Sequence, residues 1–124
     1  MRETIGKCPI ESTLSLLSGK WKILIMKALS RGPLRHGQLA REIAPVSTKV
    51  LTQQLREMEA DGLVRRRVFP EVPPRVEYSL SGMGASLAPV LKELREWGLT
   101  QDKVHAVECA FCGKCRDIYF RSAE

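Results

Sequence analysis

A chain of 124 residues, 44% of them apolar, suits one compact domain with a single core and is short for two. It contains no apolar run of bilayer length and no signal-peptide stretch near Met1, so a cytoplasmic protein with no membrane partner is expected. The net charge of +6 is uneven: residues 20–75 hold twelve basic and five acidic side chains, and residues 76–124 hold six and seven. A basic middle segment of this kind favours a polyanion as partner, with a solvated lysine-rich surface as the plainer alternative.

In chain order, Cys8-Pro9 opens a first helix, because proline suits a position whose N–H would be unpaired anyway. Ile10, Leu14 and Leu17 recur at helical spacing, and Gly19 ends the element. A second helix is expected over 20–30, with Trp21, Leu24, Ile25, Ala28 and Leu29 as its buried stripe. After the turn Arg31-Gly32-Pro33, residues 36–43 read as a short helix with Leu39, Ala40 and Ile43 inward. Pro45 halts it, since the residue before a proline avoids helical geometry. Ser47 then caps a strong helix over 48–60, closed by Asp61-Gly62. Leu51, Leu55 and Met58 form its apolar face, and Thr48, Lys49, Thr52, Gln53 and Arg56 its polar one.

Beyond Leu63 the period changes from helix to strand. Residues 64–69 and 75–80 are β-prone and flank Pro70-Glu71-Val72-Pro73-Pro74, which makes a ribbon with a stiff tip. Residues 82–99 read as one long amphipathic helix with Met83, Leu87, Val90, Leu91, Leu94 and Trp97 on one stripe and a bend at Pro89. Residues 100–124 form a separate tail. The fold class is therefore mainly α with a small β-wing, a winged helix-turn-helix spanning 7–99.

That order of elements suits duplex DNA, because the major groove admits one α-helix while the preceding helix braces on the backbone. Ser47, Thr48, Lys49, Thr52, Gln53 and Arg56 are the candidate groove contacts, with Arg66 and Arg75 on the ribbon facing phosphates or the minor groove. A polar helix face alone is more often ordinary surface, and Arg65, Arg66 and Arg67 could simply keep a strand edge charged. The coincidence of basic segment, helix pair and ribbon shifts the balance. Two histidines, with no Ser/His/Asp or paired-carboxylate constellation, argue against an enzyme.

Several blocks carry a family resemblance: Cys8-Pro9-Ile10-Glu11, Gly19-Lys20-Trp21-Lys22, Leu51-Thr52-Gln53-Gln54-Leu55-Arg56-Glu57, Glu59-Ala60-Asp61-Gly62-Leu63-Val64, and Glu71-Val72-Pro73-Pro74-Arg75-Val76-Glu77-Tyr78-Ser79-Leu80. In colinear order over about 7–99, they resemble the HxlR-type, MarR-like regulators. The resemblance implies a homodimer built by its terminal helices that binds a palindromic operator and represses or activates nearby genes, with repression the first reading. It also implies a redox or electrophile sensor at Cys8, since some members sense quinones, aldehydes or hypochlorite through a cysteine just before the first helix. Independently of the family, a helix N-terminus beside Lys7 would favour the reactive thiolate at that position. A half-buried thiol acting as a poor cap is the plainer reading.

Cys109, Cys112 and Cys115 form a C-x2-C-x2-C cluster in the tail, which departs from the family pattern. Gly113 would permit the tight knuckle that zinc ribbons use, and His105 is the nearest fourth ligand for a metal site. Zinc fits first, a metal-free thiol–disulfide switch second and an iron–sulfur cluster third. The rival function is accordingly a thiol-redox or metal-handling protein, which would leave the basic middle segment unexplained.

Overall fold

A computed structural model describes residues 8–101. Four helices come first: α1 (Pro9–Leu16), α2 (Lys22–Leu29), α3 (His36–Glu42) and α4 (Thr48–Ala60). An antiparallel ribbon follows, β1 (Val64–Phe69) with β2 (Arg75–Leu80), and then α5 (Gly82–Ala85) and α6 (Ala88–Leu99). The ribbon runs in plain register from Val64 opposite Leu80 to Phe69 opposite Arg75. Leu34, in the link between α2 and α3, exchanges both backbone hydrogen bonds with Tyr78, at 3.0 and 2.8 Å, and anchors the ribbon to the helices.

One core holds these parts together. Ile25, Met26 and Leu29 of α2, Leu39 of α3, Leu51, Leu55 and Met58 of α4, and Leu63 and Val64 are all closed to solvent. Burial of such side chains stabilises by about 1.5–3 kcal/mol each before chain entropy is counted. The α4 helix starts where Ser47 caps it, with the hydroxyl accepting from Val50 N at 3.1 Å. It ends at Asp61, and Gly62 follows at φ +85°, a left-handed value natural to glycine.

Several expectations need correction. α1 stops at Leu16, and of its presumed inner stripe only Leu17 reaches the core. Ile10 and Leu14 are 70% and 56% exposed, so periodicity marked an apolar face that the protomer does not cover. α2 begins at Lys22, with Trp21 and Leu24 only half-buried, while Lys22 and Met26 lie inside.

The expected long helix over 82–99 is two helices. Ser81 Oγ accepts from Gly84 N at 2.9 Å and donates to Gly62 O at 2.6 Å, which fixes α5 just beyond the end of α4. Pro89 lies in the first turn of α6. There its missing N–H would have no partner anyway, so it opens a helix and does not bend one. Leu91 and Ala88 face the core, Leu87 is half-buried, and Met83, Val90, Leu94 and Trp97 are exposed.

α5 can lie this close to Leu63 only because residue 84 lacks a side chain. A Cβ on Gly84 would collide with the Leu63 carbonyl oxygen, whereas one on Gly37 of α3 would meet open space. We expect Gly84→Ala to destabilise by about 1–3 kcal/mol, the usual range for overpacking. Gly37→Ala should stabilise by up to about 1 kcal/mol through reduced chain entropy. Urea unfolding measures both, and equal effects would refute the close-approach argument.

Candidate nucleic-acid interface

The helix pair and the ribbon converge on one side of α4. Because Leu51, Leu55 and Met58 are fully buried, the positions between them must face out. Thr48, Lys49, Gln53 and Arg56 are exposed, as is the cap residue Ser47. Thr52 is half-buried, and its hydroxyl lies 3.0 Å from His36 Nε2 on α3. The preceding helix braces α4 from inside through Leu39 and Ile43. Its own start is set by Arg35 N donating to Gln38 Oε1 at 2.8 Å.

A buried ion pair fixes α4 against α2. Lys22 is 1% exposed, and its Nζ lies 2.7 Å from Glu57 Oε1, with the Glu57 side chain 30% exposed. Lys22 shares the helical phase of Ile25, Met26 and Leu29, which was the signal available in the sequence that it points inward. The expected stripe contained only apolar residues and so missed it. Glu57 also lies beside Lys49, Thr52, Gln53 and Arg56 along a shallow hollow of the outer face.

The ribbon sorts its arginines by strand alternation. Arg66 pairs across from Tyr78, and these two, with Thr52, Arg56 and Glu59, line a cleft between α4 and the ribbon. Arg65 and Arg67 lie on the opposite face. There Phe69 is stacked by the guanidinium groups of Arg67 and Arg75, at 4.5 and 3.9 Å from the ring centre. Arg75 is also held by Glu71 at 3.0 Å and Glu77 at 3.8 Å, so carboxylates of the ribbon already face its charge. Of the two ribbon residues proposed to meet DNA, the structure brings Arg66 alone into the α4 cleft.

Cys8 occupies the N-cap position of α1 and is half-buried, and its carbonyl accepts from Ser12 N at 3.0 Å. The thiol itself makes no capping hydrogen bond to the amides of α1. Cys109, Cys112, Cys115 and His105 lie outside the described residues. Among the described residues, no group of three or more His, Cys, Asp or Glu side chains could hold a metal. No described helix is long and apolar enough to cross a membrane.

With this geometry in place, the comparisons with known proteins are specific. The pattern of the HxlR-like helix-turn-helix family matches residues 16–106. The chain belongs to the HxlR family. An uncharacterised HTH-type transcriptional regulator of Halalkalibacterium halodurans is 47% identical over 98 residues, covering 78% of this chain and 87% of the relative. The reduced form of the redox regulator HypR superposes with a TM-score of 0.74 at 39% identity, covering 80% of this chain and 98% of HypR. The reduced form of the transcriptional regulator YodB of Bacillus subtilis superposes at 0.70 with 37% identity, covering 76% and 93%. This HxlR-family chain is a winged helix-turn-helix transcriptional regulator and not an enzyme.

The ion pair yields a prediction. Glu57→Ala strands a buried ammonium and should cost about 2–4 kcal/mol, at or below the range for a fully buried pair because Glu57 still reaches water. Adding Lys22→Met removes the stranded charge and should recover most of that loss. If the double variant is no more stable in urea than Glu57→Ala alone, the ion pair does not constrain α4.

Proposed function

We propose that this regulator binds a palindromic operator as a homodimer, represses transcription there, and changes its DNA affinity with the redox or electrophile state of Cys8. The observation that carries the DNA half is the outer face of α4, where Thr48, Lys49, Thr52, Gln53 and Arg56 stand beside Arg66 of the ribbon. Thr and Gln exchange hydrogen bonds with base edges, and Lys49 and Arg56 reach guanine or phosphate. Ser47 Oγ accepts from Val50 N as a cap, which leaves its O–H to donate to a phosphate oxygen.

Two tests separate reading from positioning. Gln53→Ala should relax base preference by about 1–3 kcal/mol if its contact is bidentate. Arg66→Ala should weaken all sequences alike and lower the salt slope of log K by about one. Mobility shifts on the upstream DNA measure both, and full binding by a Gln53/Arg66 double alanine variant would contradict the placement.

The homodimer is supported by apolar side chains that the protomer leaves uncovered at both ends: Ile10 and Leu14 on α1, and Val90, Leu94 and Trp97 on α6. A two-fold axis through such a surface presents α4 twice, for half-sites about 34 Å apart. Leu91 belongs to the core of the protomer, so Leu94 is the informative probe. Leu94→Asp should sediment as a folded monomer with no preference for a palindrome. A dimeric Leu94→Asp places the interface elsewhere.

The sensor reading is supported by the position of Cys8 and by the likeness to HypR and YodB. Cys8→Ser should bind the operator yet ignore quinone or oxidant. A response retained there and lost in a Cys109/Cys112/Cys115 triple serine variant would move the sensor to the tail. For the tail we propose zinc, held by those three cysteines with His105. Wild-type protein without metal when purified anaerobically would contradict it.

A further inference from the structure

The outer face of α4 is not uniform. Thr48, Lys49, Gln53 and Arg56 are exposed, whereas Thr52 is half-buried and bonded to a neighbouring helix. It also sits at the centre of that face. It lines one hollow with Lys49, Gln53 and Arg56, and a second with Arg56, Arg66 and Tyr78. Its partner, His36 Nε2, is 3.0 Å away and belongs to the first turn of α3, whose position is fixed by buried Leu39 and by the Arg35–Gln38 bond.

We propose that His36 is a specificity-determining residue that acts through Thr52, setting which way the Thr52 hydroxyl points and whether it donates to or accepts from a base edge. The inference rests on α4 being the reading helix. A threonine hydroxyl has one donor and two acceptor sites, and a neutral imidazole has one of each. When Nε2 carries the proton, His36 donates to Thr52. The Thr52 O–H is then directed outward, toward an acceptor such as guanine O6 or N7, adenine N7 or thymine O4. When Nδ1 carries it, Thr52 donates inward to Nε2. Its outward lone pair then suits adenine N6 or cytosine N4. An unanchored threonine would rotate between these options and discriminate little. Fixing the rotamer before DNA arrives also removes an ordering cost from binding.

The test uses the full chain with His36→Phe, Thr52→Val and the double variant, on operators substituted at each base pair, on non-specific DNA, and in unfolding as a control. His36→Phe keeps a ring and deletes the hydrogen bond. Discrimination at one base pair per half-site should fall by about 5–30-fold, with non-specific affinity within twofold of wild type. Thr52→Val should lose the same discrimination at the same base pair, and the double variant should lose no more. His36→Gln, whose amide presents either an N–H donor or a carbonyl acceptor in place of Nε2, should retain it. In the free protein, Thr52→Val should shift the imidazole ¹⁵N resonances of His36, one of two histidines in the sequence.

Losses that multiply in the double variant, or a His36→Phe effect equal on all sequences, would overturn the proposal. If Gln53→Ala and Arg56→Ala leave base preference unchanged, the reading of α4 fails and takes this inference with it. If they change it while His36→Phe does not, only the role of His36 is lost.

Discussion

The rest of the structure depends on one constraint: α4 must bury Leu51, Leu55 and Met58 completely. A helix that places a stripe at i, i+4 and i+7 inside the core has no rotational freedom left, so its opposite face is chosen by default. Turning α4 by one residue would bring charged or amide groups inside at several kcal/mol each. The Lys22–Glu57 pair adds a directional restraint to this non-directional one, because a buried ammonium tolerates few positions for its carboxylate. The same α4 then carries the ribbon with it, since Leu63 and Val64 pass from the helix end into the core and start β1.

Charge reads differently once it is placed. The excess in residues 20–75 suggests a uniformly basic surface. Within it, Lys22 faces Glu57, Arg31 faces Glu42, and Arg75 faces Glu71 and Glu77. Lys49, Arg56 and Arg66 remain exposed near α4 and the ribbon. Net charge thus indicates the class of partner, while the pairing of individual charges decides which side chains can meet it. On the ribbon, the stacking of Arg67 and Arg75 over Phe69 gives those arginines a structural task in holding the two strands together.

The sequence was most legible where local signals agree. Ser47, the apolar repeat of α4 and Asp61-Gly62 bound one helix unambiguously, and the change to period two after Leu63 placed both strands at their observed limits. It was least legible where distant residues decide. Gly84 against the Leu63 carbonyl, Lys22 against Glu57 and His36 against Thr52 are each separated by 16 or more residues, and neither propensity nor periodicity registers such pairs. Pro89 misled because a proline within an apolar pattern looks the same whether it bends a helix or begins one. The α1 and α6 stripes were recognised as apolar, but burial within a protomer and exposure for a partner give the same spacing.

The most direct test of the central claim is photo-cross-linking from α4 to DNA. Benzoylphenylalanine at position 53, on operator DNA, should cross-link to bases on their major-groove edges in two half-sites one helical turn apart. The same group at position 90, on α6, should give no DNA adduct. Cross-links from position 90 and none from position 53 would contradict the account, because they would put a face other than the one exposed by α4 packing against the duplex.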